Sequence, residues 1–408
     1  MKKILFFLLF VSVPFSLWAK QLSPTAYFSI LTCAPGTQIH AHFGHSAIRL
    51  CDTANNVDIV FNYGIFSYTD DFAYNFVKGE TYYRLGIQQF SSFISEYYMD
   101  SRGVIEQQLR LSPYQKQYLF DLLQTNYLPQ NRTYLYNFFY DNCSSRPRDL
   151  LIKVLGDSLV WHKPTQCIYD TLWLHTTEQY LVQEIMPSWR TFIHAYVGEE
   201  SWLRFGISLG LGIPADSKPT IEQTMFLPDC LFLMAQYATV KQEQSHVNLV
   251  NKTQVLVPQE VAKTQASYFS VPSHILWLIC IIFIGIAGIE FWLQKHVYLV
   301  DSIVFFMFGL IGIFVWYVSF ISIHPAVYPN IHVVWASPIL LLFAIVWLFS
   351  SLRTYTVYYL YIHIVLLLLF CLVALFQKQY IHSGYVALVI IQLSRIPFVL
   401  LQHKNGSI

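Results

Sequence analysis

After Ser273 the chain is dominated by five apolar runs, Ile275–Leu293, Ile303–Phe320, Val333–Phe349, Val357–Phe376 and Val386–Leu401, separated by short polar breaks. Each approaches the ~20 residues that an α-helix needs to cross the hydrocarbon core of a bilayer. Lipid offers no hydrogen bonds, so a spanning segment must satisfy its backbone internally, which a helix does. The pattern therefore predicts an all-α, multi-pass transmembrane domain of five helices over residues 274–402, with a short tail at 403–408. Composition agrees: 55% hydrophobic residues and 12% charged ones, with a mean hydropathy of +0.42, are too apolar for a soluble protein of this length.

At the other end Lys2 and Lys3 precede an apolar run from Ile4 to Trp18, and Ala19 supplies a small residue before Lys20 and Gln21. This reads as a signal peptide over residues 1–19, short for a full span; the alternative is a retained signal anchor. The first domain is then delivered outside, and an odd number of spans leaves the C-terminus inside. Loop charges have the matching sign, with Lys295, Arg353 and Lys404 on the predicted inner side against Lys378 on the outer. A net charge of +1 without any basic stripe gives no footprint for nucleic acid.

Residues 20–240 are mixed in pattern and rich in aromatics. Ser46–Leu50 and Asp58–Tyr63 read as strands joined through the polar turn Asp52–Val57, a β-hairpin, and Pro113–Leu128 reads as a helix. The expectation is an α+β domain, followed by a polar linker over residues 241–273. Of seven cysteines, Cys280 and Cys371 fall within spans. The remaining five, Cys33, Cys51, Cys143, Cys167 and Cys230, are an odd number in an oxidising compartment, so one thiol needs another role. Cys33 and Cys51 read either as a disulfide or as two small buried hydrophobes.

Two stretches carry the chemistry. In His40-Ala41-His42-Phe43-Gly44-His45, His45 opens a strand directly after a glycine; in Tyr140-Asp141-Asn142-Cys143-Ser144-Ser145-Arg146, Cys143 follows a polar turn and precedes a helix-like run from Pro147 to Leu155. A helix N-terminus and a nearby imidazolium both favour the thiolate, the form that attacks carbonyl carbon. Cys143 is the nucleophile candidate and His45 the base that takes and returns its proton. The hairpin brings Asn62 opposite the start of the histidine strand as the group that fixes the imidazole tautomer. Asp58 is the fallback if the register slips. Asn142, Arg146 and, in the outer loop His324–His332, His324 and Asn330 are candidates for contacting substrate or an oxyanion. The plainer readings are a solvated helical turn for Arg146 and Arg148 and an ordinary interfacial loop for His324–His332. His40, His42 and His45 form an alternative zinc cluster, although no carboxylate accompanies them at helical spacing.

A histidine strand, a partner strand and then Asn-Cys leading into a helix resembles the circularly permuted papain-like superfamily, in which lecithin:retinol acyltransferase-type enzymes carry histidine before cysteine. More closely, FGHSAIRL, DIVFNYGIFSY, KGETYYRLG at Lys78–Gly86, YDNCSSRPRD, LGIPADSKPT at Leu209–Thr220 and the HPxxxPN loop at His324–Asn330 resemble a Bacteroidota family of lipoprotein N-acyltransferases. The resemblance implies an inner-membrane protein whose permuted papain-like catalytic domain lies in the periplasm and which uses no cofactor or metal. It also implies the substrates, a phospholipid as acyl donor and a diacylglyceryl-modified lipoprotein as acceptor, with a thioester on Cys143 and Asn62 as third member. Two competing functions use the same residues differently: a thiol hydrolase acting on phospholipid or peptidoglycan, and a metal-binding sensor.

Overall fold

The computed structural model describes residues 21–38, 41–168, 173–198, 200–242, 245–259, 271–295, 297–346, 349, 353–376 and 378–404. The expected signal peptide and His40 lie outside these residues. The strands are β1 Tyr27–Cys33, β2 His45–Asp52, β3 Val57–Ile65, β4 Tyr82–Gln89, β5 Val104–Leu109, β6 Thr133–Leu135, β7 Leu159–Val160, β8 Thr239–Gln242, β9 Ser245–Asn248 and β10 Val250–Val257. Among them run α1 Phe72–Lys78, α2 Phe90–Met99, α3 Pro113–Tyr127, α4 Ser145–Leu155, α5 His175–Val182, α6 Trp189–Val197, α7 Trp202–Gly210, α8 Ile221–Thr224 and α9 Pro228–Tyr237. The C-terminal part is helical: α10 Pro272–Leu293, α11 Tyr298–Phe320, α12 Ile339–Val346, α13 Arg353–Leu375 and α14 Ser383–Lys404.

An antiparallel sheet in the order β10-β5-β1-β2-β3-β4-β6 organises the N-terminal part. Its strands alternate between two buried faces. Phe28, Ile30, Ile48, Leu50, Ile59 and Phe61 join the large core under α3, α4, α6 and α9, whereas Leu31, Cys33, Ala47 and Val60 meet Phe93 and Tyr97 of α2. Each such side chain contributes about 1.5–3 kcal/mol on leaving water. The β2–β3 hairpin forms where the sequence asks for it. Asp52 accepts from the Asn55 N–H, and Asn56 takes the left-handed conformation (φ +54°) that a short amide side chain tolerates.

The expected linker is a correction. Residues 245–257 form β9 and β10, and β10 pairs along β5 from Val250↔Leu109 to Val257↔Val104. As the last strand of the sheet β10 turns Asn251, Lys252 and Thr253 to solvent, so its composition resembles a loop. The structure describes nothing over 260–270.

Three helices, Pro272–Leu293, Tyr298–Phe320 and Val357–Leu375, are long and apolar enough to cross a membrane. Of the other two expected spans, one is interrupted and one lies on a single helix. Val333–Phe349 is divided into a 3-10 turn at Ile331–Val334 and the short α12, because Pro338 cannot donate into a continuous helix and restricts the residue before it. The fifth run lies within the single helix α14 and carries Gln392 and Arg395. Arg395 is buried and ion-paired with Glu290 of α10 and, at 2.7 Å, with Asp301 of α11. Pairing is what makes a charge tolerable there, and it ties three helices together.

The loop after α11 docks onto the N-terminal domain. Ile323 donates its N–H to Lys78 O at 2.9 Å and Ser322 Oγ donates to Val77 O at 2.8 Å. Gly212 and Ile213 donate to Ala326 O and Pro329 O, each at 2.8 Å. At Gly212 a Cβ would stand 2.3 Å from Pro329 O, so only glycine permits this approach. These contacts hold the sheet domain against the ends of the membrane helices.

Candidate active site

His45 opens β2 on the sheet face covered by α2, and the hairpin register puts Asn62 of β3 on the same face. His45 Nε2 lies 2.9 Å from Asn62 Oδ1. The same oxygen accepts the Gly64 N–H at 2.8 Å, so the atom facing both groups is an acceptor and the imidazole must donate to it. The Nε2 nitrogen therefore carries the proton, and Nδ1 presents a lone pair. Gly64 also makes room for the ring, since a Cβ there would stand 2.4 Å from His45 Cε1.

Ser46, the next residue, points to the opposite face and bonds Ser144 Oγ through its own hydroxyl at 2.8 Å, docking the start of α4 against the start of β2. That contact sets Cys143 close by, with the Ser46 N–H in hydrogen-bonding reach of the sulfur. Asn142 fixes the turn: its Oδ1 accepts from the Ser144 and Ser145 N–H groups at 2.8 and 2.9 Å, and its Nδ2 donates to Phe138 O and Phe226 O at 2.6 and 2.9 Å. The Cys143 N–H has no such partner among the described residues.

Cys143, His45 and Asn62 line one cleft of about 280 Å³, with Tyr83, Tyr97 and Arg102 among its walls. Burial pushes the Cys143 thiol up to about 11, against the opposing effect of the Ser46 N–H and its own. Burial likewise holds His45 down to about 4, aided by the Arg102 cation and only partly offset by the bond to Asn62. Both shifts act in the direction of the neutral forms, thiol and imidazole.

Of the other candidates Asn142 also lines this cleft, whereas Arg146, His324 and Asn330 do not. Asn142 has both amide hydrogens and its oxygen engaged in building the turn, so its side chain has no free donor for an oxyanion. Arg146 is held by Asp141 at 2.5 and 2.8 Å and lies 3.7 Å over the Tyr134 ring, outside the cleft lining. Arg148 pairs with Asp149 at 2.7 Å. His324 Nε2 donates to Phe76 O at 2.7 Å, and Asn330 is buried, donating to Leu209 O at 3.0 Å and accepting from Gln379 at 3.0 Å. Both brace the membrane loop and neither lines the cleft. Asp58 sits opposite Cys51 and is bound by Arg49 through two bonds of 2.8 Å, which removes it as the histidine's partner.

Among the described residues no three metal-ligating side chains converge, and His45 is bonded to Asn62. Cys33, Cys51, Cys143, Cys230, Cys280 and Cys371 are free thiols. Cys51 and Cys33 lie at opposite ends of the β1–β2 ladder, pairing with Tyr27 and His45, too far apart for a bridge. Sequence reasoning missed Gly64, Arg102 and the aromatic walls. A glycine inside a strand pattern was the available signal for close approach at residue 64.

Residues 15–172 match the family model described as Lnb N-terminal periplasmic domain, and residues 263–406 match that described as Lnb transmembrane domain. No curated protein and no solved structure matches significantly.

Proposed function

Because the chain belongs to the Lnb-type lipoprotein N-acyltransferase family, a periplasmic domain followed by a transmembrane domain, we propose that it transfers a fatty acyl chain from a phospholipid to the α-amino group of a lipoprotein's diacylglyceryl-cysteine. The observation that carries this reading is the Cys143 thiol sharing a cleft with His45, whose tautomer Asn62 and Gly64 together dictate. The order of histidine strand, partner strand and cysteine helix is that of a permuted papain-like core.

His45 Nδ1 takes the proton from Cys143 Sγ as sulfur attacks the ester carbonyl. The Cys143 N–H at the start of α4 faces the developing oxyanion. As the C–S bond completes, the acyl C–O bond breaks, and His45 returns the proton to the departing glycerol oxygen, releasing a lysophospholipid. The acceptor's neutral amine then attacks the thioester. A C–N bond forms, the C–S bond breaks, and His45 carries the amine's proton to sulfur. Both halves balance without cofactor. A neutral resting thiol suits this chemistry, because a permanent thiolate would be open to oxidation in an oxidising compartment.

The test uses the purified full chain in phosphatidylethanolamine vesicles. Intact-mass measurement should show an acyl adduct on Cys143 that hydroxylamine removes, absent from Cys143→Ala and discharged by a diacylglyceryl-cysteine peptide with its third chain gained. Discharge by water at the same rate without the peptide makes the protein a hydrolase; no adduct removes the thioester.

A further inference from the structure

We infer that the cavity flanking the cleft, between α1, β4 and β6, is where the donor glycerophospholipid enters laterally from the bilayer. The inference rests on the acyl-transfer reading and adds the route and the residues that form it.

This cavity, of about 390 Å³, shares Phe66 and Tyr83 with the Cys143 cleft as a common wall. Its outer side is α1, which the membrane loop holds through Ile323, Ser322 and His324. Tyr74 of α1 lies 6.0 Å, ring to ring, from Tyr317 near the end of α11, so the helix rides at the level where that span leaves the bilayer. Phe76 lies 6.1 Å from the His324 ring of the membrane loop, and from it aromatic rings continue inward: Phe76 to Phe72 at 6.1 Å, Phe72 to Phe66 at 5.1 Å, Phe66 to Tyr83 at 4.9 Å and Tyr83 to Tyr136 at 4.2 Å. The last three belong to the cleft that holds Cys143.

Tyr74 is 56% exposed and Tyr82 63%. Aromatic rings with polar tips favour the headgroup layer of a bilayer. The cavity itself is amphiphilic. Ile65, Phe66 and Phe72 offer an apolar wall, while Arg84, Thr133 and Thr81 offer polar groups, and the buried Thr81 Oγ1 has no hydrogen-bond partner among the described residues. A soluble polar substrate would leave the aromatic run unused, and a bare hydrocarbon would leave the Thr81 hydroxyl unsatisfied. A glycerophospholipid satisfies both, with its chain along the rings and its ester and phosphate oxygens toward the hydroxyl and the guanidinium. Continuity with the membrane-docked face identifies the bilayer as its source.

Two measurements test the route on the full chain in phosphatidylethanolamine vesicles. Ser67, exposed on the cavity lining, accepts Ser67→Trp at the surface, and the indole would fill the space. Acyl-Cys143 formation should fall at least tenfold, while alkylation of Cys143 by iodoacetamide stays within twofold of the unaltered protein. In a Cys143→Ala background, p-benzoylphenylalanine in place of Phe72 should crosslink to phospholipid, and the same group in place of Tyr114 on α3 should not. Undiminished acylation in Ser67→Trp, or equal crosslinking at both positions, overturns the route. If the unaltered protein forms no adduct, the acyl-transfer reading has failed, and the crosslinking alone decides whether lipid occupies the cavity.

Discussion

Gly64→Ala isolates the placement of the histidine from its presence. The added Cβ would lie 2.4 Å from His45 Cε1 and 3.1 Å from Nδ1, against a normal carbon contact of about 3.5–4.0 Å. The ring must therefore retreat by about 1 Å, since β4 holds β3 on either side of residue 64, at Asn62↔Gly86 and Ile65↔Arg84. Gly64 is not among the residues with positive φ, so alanine meets no backbone strain and regains part of the ~0.5–1 kcal/mol that glycine costs within a strand. The expected result is a folded protein with a thermal midpoint within a few degrees of the original. Its rate of Cys143 acylation should fall about 100-fold, the effect of an ångström-scale misplacement, equal to ~2.7 kcal/mol of barrier. Stopped vesicle reactions read by intact mass give the rate, and circular dichroism gives the midpoint. A folded variant acylating within threefold of the original would refute the claim that Nδ1 must sit where Gly64 lets it sit.

Other consequences follow from the same geometry. His45, held down to about 4, is neutral and competent as a base above that pH, so acylation should stay level from pH 5.5 to about 8.5 and fall as pH drops through about 4; a limb near 6.5 in the pH–rate profile would contradict this. Asn62→Leu removes the acceptor that fixes the tautomer and should slow acylation by roughly 10²–10⁴-fold, whereas Asn62→Asp keeps an acceptor, adds a negative charge and should move the acid limb upward. Asn142→Ala deletes two capping bonds and leaves Phe138 O and Phe226 O unpaired. It should cost about 2–4 kcal/mol, read as a lowered denaturation midpoint.

The hairpin and the histidine–asparagine pair were legible because the period of two in a strand and the polar turn at Asp52–Val57 fix which side chains share a face. Cys143 at a helix start was legible from the turn residues before it. What the sequence could not weigh was competition. Asn142 reads equally as an oxyanion donor or a cap, and only the carbonyls of Phe138 and Phe226, the latter far along the chain, decide it. Arg146 had its partner five residues away in Asp141, a local ion pair that leaves the guanidinium outside the cleft. The thiol's protonation state depended on how deeply the fold encloses it, which no local pattern records. β10 looked like linker because a strand's partner can lie anywhere in the chain, and Arg395 went unremarked inside the run Val386–Leu401 because its carboxylate partners sit on two other helices.

The most direct test of the account is mass spectrometry of the N-terminal peptide of a reporter lipoprotein. It would be made in cells depleted of their own N-acyltransferase and supplied with this protein, or with its Cys143→Ala or His45→Ala variant. A third acyl chain that appears with the unaltered protein and with neither variant is the predicted result. A peptide that stays diacylated with the unaltered protein, or becomes triacylated with Cys143→Ala, would contradict it.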